Sequence, residues 1–121
     1  MVKSNDSDEK RIKKIVDDWG VIREANKILP KDDFKLNLLN VIAELEDNDC
    51  HITRNFPISQ LHKVTGIKKH IYRAYIDKIS GWRIHLQYDK TSNSLNLKQI
   101  VDGQSHDDCL KIIKSQIYRF D

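Results

Sequence analysis

Positively charged and aromatic side chains that suit phosphate groups are concentrated in one stretch of the chain, residues 58–82. Lys68, Lys69, Tyr72 and Arg73 lie close together there, and on a helix they fall away from the neighbouring isoleucines. Arginine and lysine suit guanine edges and phosphates, and the backbone amides at the start of a helix attract anions. These residues therefore predict the binding of a nucleic acid. The alternative is that the basic run is merely a solvated helix face.

The spacing of apolar residues predicts that this stretch forms two short helices joined at Gly66. Apolar residues recur at every third position before the glycine and at every fourth position after it, as on a helix with one buried face. Glycine tolerates the left-handed backbone that such a joint needs, and Ser80-Gly81 is a usual helix end. The apolar positions are Ile58, Leu61 and Val64 in the first helix, and Ile67, Ile71, Ala74, Tyr75 and Ile79 in the second.

A β-hairpin is predicted directly after the two helices. From Trp82 to Asp89 apolar residues alternate with polar ones, which is the pattern of a half-buried strand. The polar segment 89–94 predicts a turn, and the alternation from Leu95 towards Val101 predicts the returning strand.

The order of these elements, two helices and then a hairpin, resembles the winged helix-turn-helix superfamily over roughly residues 32–101. The resemblance implies a first helix from Asp32, capped by the Asp32-Asp33 pair, and a short strand within Cys50–Pro57. His62 departs from the family's pattern, which often has alanine at that position. The first helix would bury Phe34, Leu38, Leu39, Ile42 and Leu45.

The resemblance implies sequence-specific binding of double-stranded DNA, in a protein that regulates transcription or organises a replicon. In that family the second helix enters the major groove, the first helix crosses the phosphate backbone and the hairpin is the wing. The implied major-groove residues are Lys68, Lys69, Tyr72 and Arg73. The implied backbone contacts are Ser59, Lys63 and Thr65, and the implied wing contacts are Lys90, Thr91, Ser92 and Asn93.

A second resemblance gives a different function. The segments Ile71–Tyr75 and Trp82–Tyr88, read as consecutive strands, look like the Tyr-Arg repeats of the RelE/ParE toxin superfamily, which implies an endoribonuclease that cleaves messenger RNA. The implied phosphate-stabilising residues are Lys68, Lys69, Arg73 and Arg83, and the implied proton-transfer residue is Tyr88 or His106. A third possibility is a winged domain that contacts only proteins.

The distribution of charge favours a nucleic-acid partner more than the net charge of +3 does. Residues 1–50 contain nine Lys/Arg and twelve Asp/Glu, whereas residues 51–121 contain twelve Lys/Arg and six Asp/Glu. The second half therefore predicts a positive patch, whose binding to phosphates weakens as salt increases.

The regions outside the winged domain, which is predicted over residues 32–103, are predicted separately. Residues 1–8 are expected to be disordered, residues 9–31 to form a helix that Pro30 closes, and residues 104–121 to form a helix that begins at Ser105. The flanking helices either thicken the core or form a homodimer interface. The candidate anchors of that interface are Trp19 with Ile12, Ile15 and Ile22, or Ile113 with Ile117 and Tyr118.

The predicted fold class is α+β and mainly α, a winged helix-turn-helix with additional N- and C-terminal helices. The main interpretation is a DNA-binding protein that acts as a homodimer and is not an enzyme, with no cofactor and no metal. A cytoplasmic location without a membrane partner is expected because the sequence has no signal peptide and no long apolar run. Walker, Gly-x-Ser-x-Gly and His-Glu-x-x-His motifs are also missing from the sequence. The spacing of the potential zinc ligands is unsuitable for one ion; they are Cys50, His51, His106 and Cys109.

Overall fold

Alternating apolar and polar residues in the middle and second half of the chain produce one mixed five-stranded sheet, which short helices accompany. The computed structural model describes residues 14–102 and 109–121. In chain order the elements are β1 (Lys14–Val16), α1 (Val21–Ile28), α2 (Asp32–Leu45), α3 (Asn48–Thr53), β2 (His62–Lys63), β3 (Tyr72–Asp77), β4 (Trp82–Asp89), β5 (Ser94–Val101), α4 (Cys109–Ser115) and a 3₁₀ helix (Ile117–Arg119).

The sheet has the strand order β1-β5-β4-β3-β2. Strands β2 to β5 run antiparallel to their neighbours, whereas β1 is parallel to β5. A parallel pair cannot be joined by a tight turn, because the chain must first return to the same end of the sheet. The chain leaves β1 at one edge, passes through α1, α2 and α3, and enters the other edge at β2.

One face of the sheet carries the main hydrophobic core, which α1 and α2 cover. Side chains alternate between the two faces of a strand, so every second residue of β3 and β4 points into this core. Each fully buried aliphatic side chain of this size contributes roughly 1.5–3 kcal/mol. The core includes Val21, Ala25, Leu38, Val41 and Leu45 from the helices and Ala74, Ile76, Ile84, Leu86, Leu95 and Leu97 from the sheet.

A smaller apolar cluster lies beside the loop that precedes β3. Val64 and Ile71 pack there with Ile113 of α4 and with Phe120, and Ile67 adds a half-buried side chain. The cluster fixes α4 and the residues that follow it against the sheet domain.

The prediction of a mainly α winged helix-turn-helix is wrong, because residues 72–77 of the expected recognition helix form strand β3. This strand pairs with β4 on one side and with β2 on the other. The four-residue spacing that suggested a helix does not correspond to one buried face: Ala74 and Ile76 are buried, whereas Ile79 is 99% exposed. The side chains of β3 instead alternate between the two faces of the sheet, with Ala74 in the main core and Arg73 and Tyr75 on the opposite face.

Two other predicted elements near the expected hinge are also wrong. The helix expected over residues 58–64 is a turn that leads into β2, and the segment Cys50–Pro57 forms no strand, since its first four residues belong to α3. Helix α3 begins at Asn48 because the carboxylate of the preceding residue, Asp47, accepts a hydrogen bond from the Asp49 amide at 3.0 Å, as an N-cap residue does.

The single helix expected over residues 9–31 is divided into β1 and α1. Asp17 explains the division, since its two carboxylate oxygens accept hydrogen bonds from the amides of Val21 and Ile22 and so start a new helix there. Gly20 has a φ of 68° just before α1, which glycine adopts without strain. The predicted disorder of residues 1–8 lies outside the described residues, as does the predicted helix start at Ser105.

Two predicted elements are confirmed: strands β4 and β5 form the antiparallel hairpin, and α2 occupies Asp32–Leu45. The helix predicted over residues 104–121 is shorter where the structure describes it, because α4 ends at Ser115 and residues 117–119 form a 3₁₀ helix. Within α2, Leu39 is 61% exposed although it was predicted to be buried. Among the described residues no helix has the length and apolar character needed to cross a membrane.

Candidate functional site

A row of polar side chains crosses the sheet on the face opposite the main core. Residues that pair directly across neighbouring strands point to the same side of the sheet. His62 pairs with Arg73, Arg73 with His85, and His85 with Gln99, so that one row extends across β2, β3, β4 and β5. We call this side of the sheet the polar face.

Arg83 lies on the polar face two residues before His85 in β4, and it pairs with Tyr75 of β3. Its side chain is completely buried, and its Nη1 donates a hydrogen bond to the Gly81 carbonyl at 2.8 Å. The turn that holds Gly81 is itself fixed, because the Asp77 carboxylate accepts hydrogen bonds from the amide and hydroxyl of Ser80. The hairpin between β3 and β4 therefore sets the position of this guanidinium.

A chain of hydrogen bonds holds His85 within the sheet. The Nδ1 of His85 donates to the Gln99 side-chain carbonyl at 2.6 Å, and the Gln99 amide donates to the side-chain carbonyl of Gln116 at 2.6 Å. In the neutral imidazole this arrangement puts the proton on Nδ1 and the lone pair on Nε2. The chain also ties the residues after α4 to the polar face.

Two arginines lie near His85 on the polar face. Burial lowers the pKa of His85, and the charges of Arg73, Arg83 and His62 lower it as well, so that the pKa lies at about 4 in place of 6.5 despite the opposing effect of the Gln99 hydrogen bond. We call His62, Arg73, Arg83 and His85 the basic cluster. The two guanidinium groups of this cluster favour an anionic ligand.

The outer edge of the basic cluster is open to solvent. His62 is exposed, Arg73 and Tyr75 are half-buried, and the rings of His62 and Tyr75 lie with centroids 5.9 Å apart. The Nδ1 of His62 donates to the Gln60 carbonyl at 2.8 Å, which leaves the lone pair of the neutral ring on Nε2. An accessible imidazole of this kind, next to an arginine, can accept a proton from a ligand bound through its phosphate.

A buried carboxylate positions the segment that leads to His62. Glu44 of α2 accepts hydrogen bonds from the amides of Ile58 and Ser59 at 2.7 and 2.8 Å and from the Ser59 hydroxyl at 2.7 Å. The Ser59 carbonyl in turn accepts a hydrogen bond from the Tyr75 amide at 2.8 Å. Glu44 therefore anchors the start of β2 to both α2 and β3.

Replacement of Glu44 by alanine is expected to lower the free energy of unfolding by about 2–3 kcal/mol, because buried donors lose a charged acceptor. Urea unfolding of the wild type and the variant measures this difference. Glu46→Ala removes an exposed carboxylate two residues further along and is the matched control, with an expected change within about 0.5 kcal/mol. Equal effects of the two substitutions would contradict the anchoring role of Glu44.

The last residues of the chain lie across the polar face. Arg119 donates a hydrogen bond to the Lys98 carbonyl of β5 at 3.0 Å, and the ammonium of Lys98 lies 3.6 Å from the Asp121 carboxylate. The Asp121 amide donates to the Gln87 side chain at 3.0 Å, and Lys69 donates to the Asp121 carbonyl at 3.1 Å.

The four residues predicted to enter the DNA major groove do not share one surface. Lys68 and Lys69 lie in the loop before β3, where Lys68 is exposed and Lys69 contacts Asp121. Arg73 is on the polar face, but its neighbour Tyr72 points to the opposite side and packs on Tyr88 with ring centroids 5.0 Å apart. Only Arg73 of this group therefore belongs to the basic cluster.

The residues predicted to contact the DNA backbone are also separated. Ser59 is fully buried and bonded to Glu44, whereas Lys63 and Thr65 are exposed. The predicted wing tip is the turn between β4 and β5, with the residues Lys90, Thr91, Ser92 and Asn93. The Asp89 carboxylate accepts hydrogen bonds there from the amides of Thr91 and Ser92.

Tyr88, one of the two residues implied for proton transfer, is on the opposite face from the basic cluster. Its hydroxyl accepts a hydrogen bond from Arg54 at 2.8 Å and donates to the Nδ1 of His51 at 2.8 Å, since the Nε2 of His51 donates to the Leu45 carbonyl. Burial raises the pKa of Tyr88, and burial lowers the pKa of His51. The hydrogen bonds of Tyr88 with His51 and Arg54 therefore link α3 to β4. His106, the other candidate, lies outside the described residues.

Sequence reasoning missed His62, Tyr75, His85 and Gln99 as members of a site. The predicted strand from Trp82 already put Arg83 and His85 on its polar side, and this alternation was the available signal. No comparable signal identified His62, because β2 has two residues and no periodicity.

Comparisons with protein-family models, curated proteins and solved structures find no match for this chain.

The buried His85 predicts that acid weakens the fold. Because its pKa is about 4 in the folded state and 6.5 ordinarily, the unfolded chain binds an extra proton as the pH falls through this interval. The contribution of neutral His85 to the free energy of unfolding is fully present above about pH 6.5, and about 3 kcal/mol of it is lost by pH 4. Urea unfolding at pH 7, 5 and 4 measures this loss, and His85→Gln is expected to remove it. An identical pH dependence of the variant would contradict the prediction.

Proposed function

We propose that this protein is a small endoribonuclease that cleaves messenger RNA, similar to the RelE/ParE toxins. The observation that carries the proposal is the basic cluster, in which an exposed imidazole, His62, lies on the same face of the sheet as Arg73, Arg83 and His85. Phosphate binding and proton transfer, the two requirements of RNA cleavage, are both available on that face.

The conformation of the Tyr-Arg segments supports this function over duplex DNA recognition. The resemblance to the toxins requires residues 71–75 and 82–88 to lie on consecutive strands, and β3 and β4 are consecutive and antiparallel. Arg73 pairs with His85 and Tyr75 with Arg83, so the two arginines are diagonal neighbours in spite of the ten positions between them. The DNA-binding prediction was based on a recognition helix, and residues 72–77 of that expected helix form strand β3.

The proposed reaction is an internal transesterification. The ribose 2′-oxygen bonds to the adjacent phosphorus while the bond between phosphorus and the 5′-oxygen of the next nucleotide breaks. The Nε2 of His62 accepts the proton from the 2′-hydroxyl, and the leaving 5′-oxygen takes a proton from solvent. The products carry a 2′,3′-cyclic phosphate and a 5′-hydroxyl.

The arginines stabilise the negative charge that accumulates on the phosphate oxygens. Arg73 is half-buried at the open edge of the cluster and is suited to contact the phosphate directly. Arg83 and His85 are fully buried behind it, and they contribute to the field and to the geometry of the sheet. Tyr75 packs against His62 and limits the orientations of the imidazole.

Incubation of the purified protein with a fluorescently labelled single-stranded RNA tests the proposal. We expect fragments with cyclic phosphate ends, and a substrate with a single 2′-deoxy residue at the cleaved position should stay intact. Induced expression in bacteria should arrest growth and cleave transcripts. Intact RNA together with specific retention of a duplex DNA in a gel shift would instead favour the DNA-binding prediction.

A further inference from the structure

A bulge in β5 directs a buried lysine towards the polar face. The pairing of β4 with β5 shifts its register directly after His85, and this shift leaves Lys98 as an extra residue of β5. A bulge of this kind re-aims a side chain that would otherwise follow the regular alternation of the strand. Lys98 is only 6% exposed, and its ammonium lies 3.6 Å from the Asp121 carboxylate.

Asp121 brings a second lysine to the same place. Its main-chain oxygen accepts a hydrogen bond from Lys69 at 3.1 Å, and its amide donates a hydrogen bond to the Gln87 side chain at 3.0 Å. Gln87 follows His85 by two residues in β4, so it lies on the polar face as well. Among the described residues, two ammonium groups therefore meet one carboxylate here, and the Asp121 side chain is 87% exposed.

The position of the Asp121 carboxylate suits a phosphate group. Both groups present negatively charged oxygens, and lysine binds a phosphate as a point charge without a fixed geometry. An ion pair that involves a solvent-exposed carboxylate contributes little to stability. Exchange of this carboxylate for a phosphate of a ligand therefore costs the fold little.

An exposed route connects this place with the open edge of the basic cluster. Lys69 precedes Arg73 by four residues, so their Cα atoms are at most about 14 Å apart. Between them His70 is exposed, and Lys68 is exposed on the other side of the half-buried Lys69. A short single strand that follows these surface residues reaches both places.

We infer that Lys69 and Lys98 bind a second phosphate of the RNA and that the Asp121 carboxylate occupies this subsite in the free protein. The inference rests on the proposed function. Asp121 competes with the substrate from within the same chain, because the RNA gains the second contact only when it displaces the carboxylate. Lys69 was implied for phosphate binding by the resemblance to the toxins, whereas Lys98 belonged to no predicted site.

Binding of a fluorescein-labelled single-stranded 2′-O-methyl RNA octamer, followed by anisotropy, tests the inference. A methylated 2′-oxygen cannot attack the phosphate, so that binding is measured without cleavage. We expect Asp121→Asn, which keeps the size of the side chain and removes its charge, to bind the octamer about 3- to 10-fold more tightly. Glu24→Gln removes the same charge from an exposed position of α1, on the other face of the sheet, and should leave the affinity nearly unchanged.

Two further readouts separate a phosphate contact from a general effect of charge. The slope of log Kd against log salt should become steeper by about 0.7 in Asp121→Asn, the value for one more phosphate of a single strand, and should not change in Glu24→Gln. Lys98→Gln should weaken binding more in the Asp121→Asn background than in the wild type, because only there is the subsite free for RNA. Lys69→Gln, in a surface loop, should show the same dependence and does not alter a buried position.

The outcomes distinguish the inference from the function on which it rests. Unchanged affinity in Asp121→Asn, or equal gains in Asp121→Asn and Glu24→Gln, would overturn the subsite and leave the ribonuclease proposal intact. A gain that persists when Lys69 and Lys98 are replaced would also overturn it, since the gain would then not depend on these lysines. Failure of both the wild type and Asp121→Asn to bind the octamer would overturn the subsite and the proposed function together.

Discussion

Replacement of His62 by alanine is expected to lower the rate of RNA cleavage by about 10²- to 10⁴-fold, which is the usual contribution of a positioned general base. The imidazole is exposed at the edge of the basic cluster, and its Nδ1 is engaged by the Gln60 carbonyl, so that Nε2 is directed to proton transfer. Single-turnover cleavage of a labelled RNA with the enzyme in excess measures the chemical step apart from binding.

The neighbouring residue provides the matched control for His62. Lys63 belongs to the same two-residue strand and is equally exposed, but it pairs with Tyr72 and so points away from the polar face. Lys63→Ala should cleave RNA within about twofold of the wild-type rate. Added imidazole should restore part of the activity of His62→Ala, because it replaces the missing base. Wild-type cleavage by His62→Ala would contradict the proposed role.

Removal of Arg73 is expected to slow cleavage by about 10²- to 10³-fold, as the loss of one donor to a developing negative charge usually does. Arg73 pairs directly with both His62 and His85 across the sheet, so its side chain lies on the polar face between the two imidazoles. Arg73→Lys keeps the charge without the two-pronged geometry and should recover only part of the rate. The measurement is again single-turnover cleavage.

Arg23 of α1 is a suitable control for the arginine substitution, because it is exposed on a helix that covers the other face of the sheet. Arg23→Ala should leave the cleavage rate unchanged. Gel shifts with duplex DNA test the earlier interpretation on the same protein: it expects Lys69→Ala with Arg73→Ala to abolish retention of the duplex. Loss of duplex retention together with unchanged RNA cleavage in this double variant would contradict the proposed role of Arg73 in cleavage.

The hairpin and helix α2 were predictable because their patterns are long and regular. Strands β4 and β5 have eight residues each, and α2 has fourteen, so an alternation or a helical stripe extends over several repeats. Strand β3 has six residues and carries Tyr72, Ala74 and Ile76 on its core side. The flanking Ile71 and Ile79 extended this short pattern into an apparent helical stripe, although Ile71 belongs to the second cluster and Ile79 to a turn.

The candidate site was predictable only in part, because strand pairing brings together residues that are distant in sequence. Arg73 and Arg83 were named for phosphate binding in the ribonuclease interpretation, and both lie in the basic cluster. His62 joins them only through the register of β2 with β3, which no local pattern determines. Tyr88 was assigned to the same site, but its even position in β4 puts it on the opposite side from Arg83 and His85.

The parallel pairing of β1 with β5 affects how the chain folds during its synthesis. Residues 14–16 are synthesised before their partners, residues 94–96, so β1 has no strand to join until nearly all of the sheet has been made. At roughly 5–20 residues per second this delay lasts several seconds. The row that contains His62, Arg73, His85 and Gln99 likewise needs β5, and a nascent chain that stops before this strand lacks a complete row. The row across the polar face is therefore complete only after β5 has been translated.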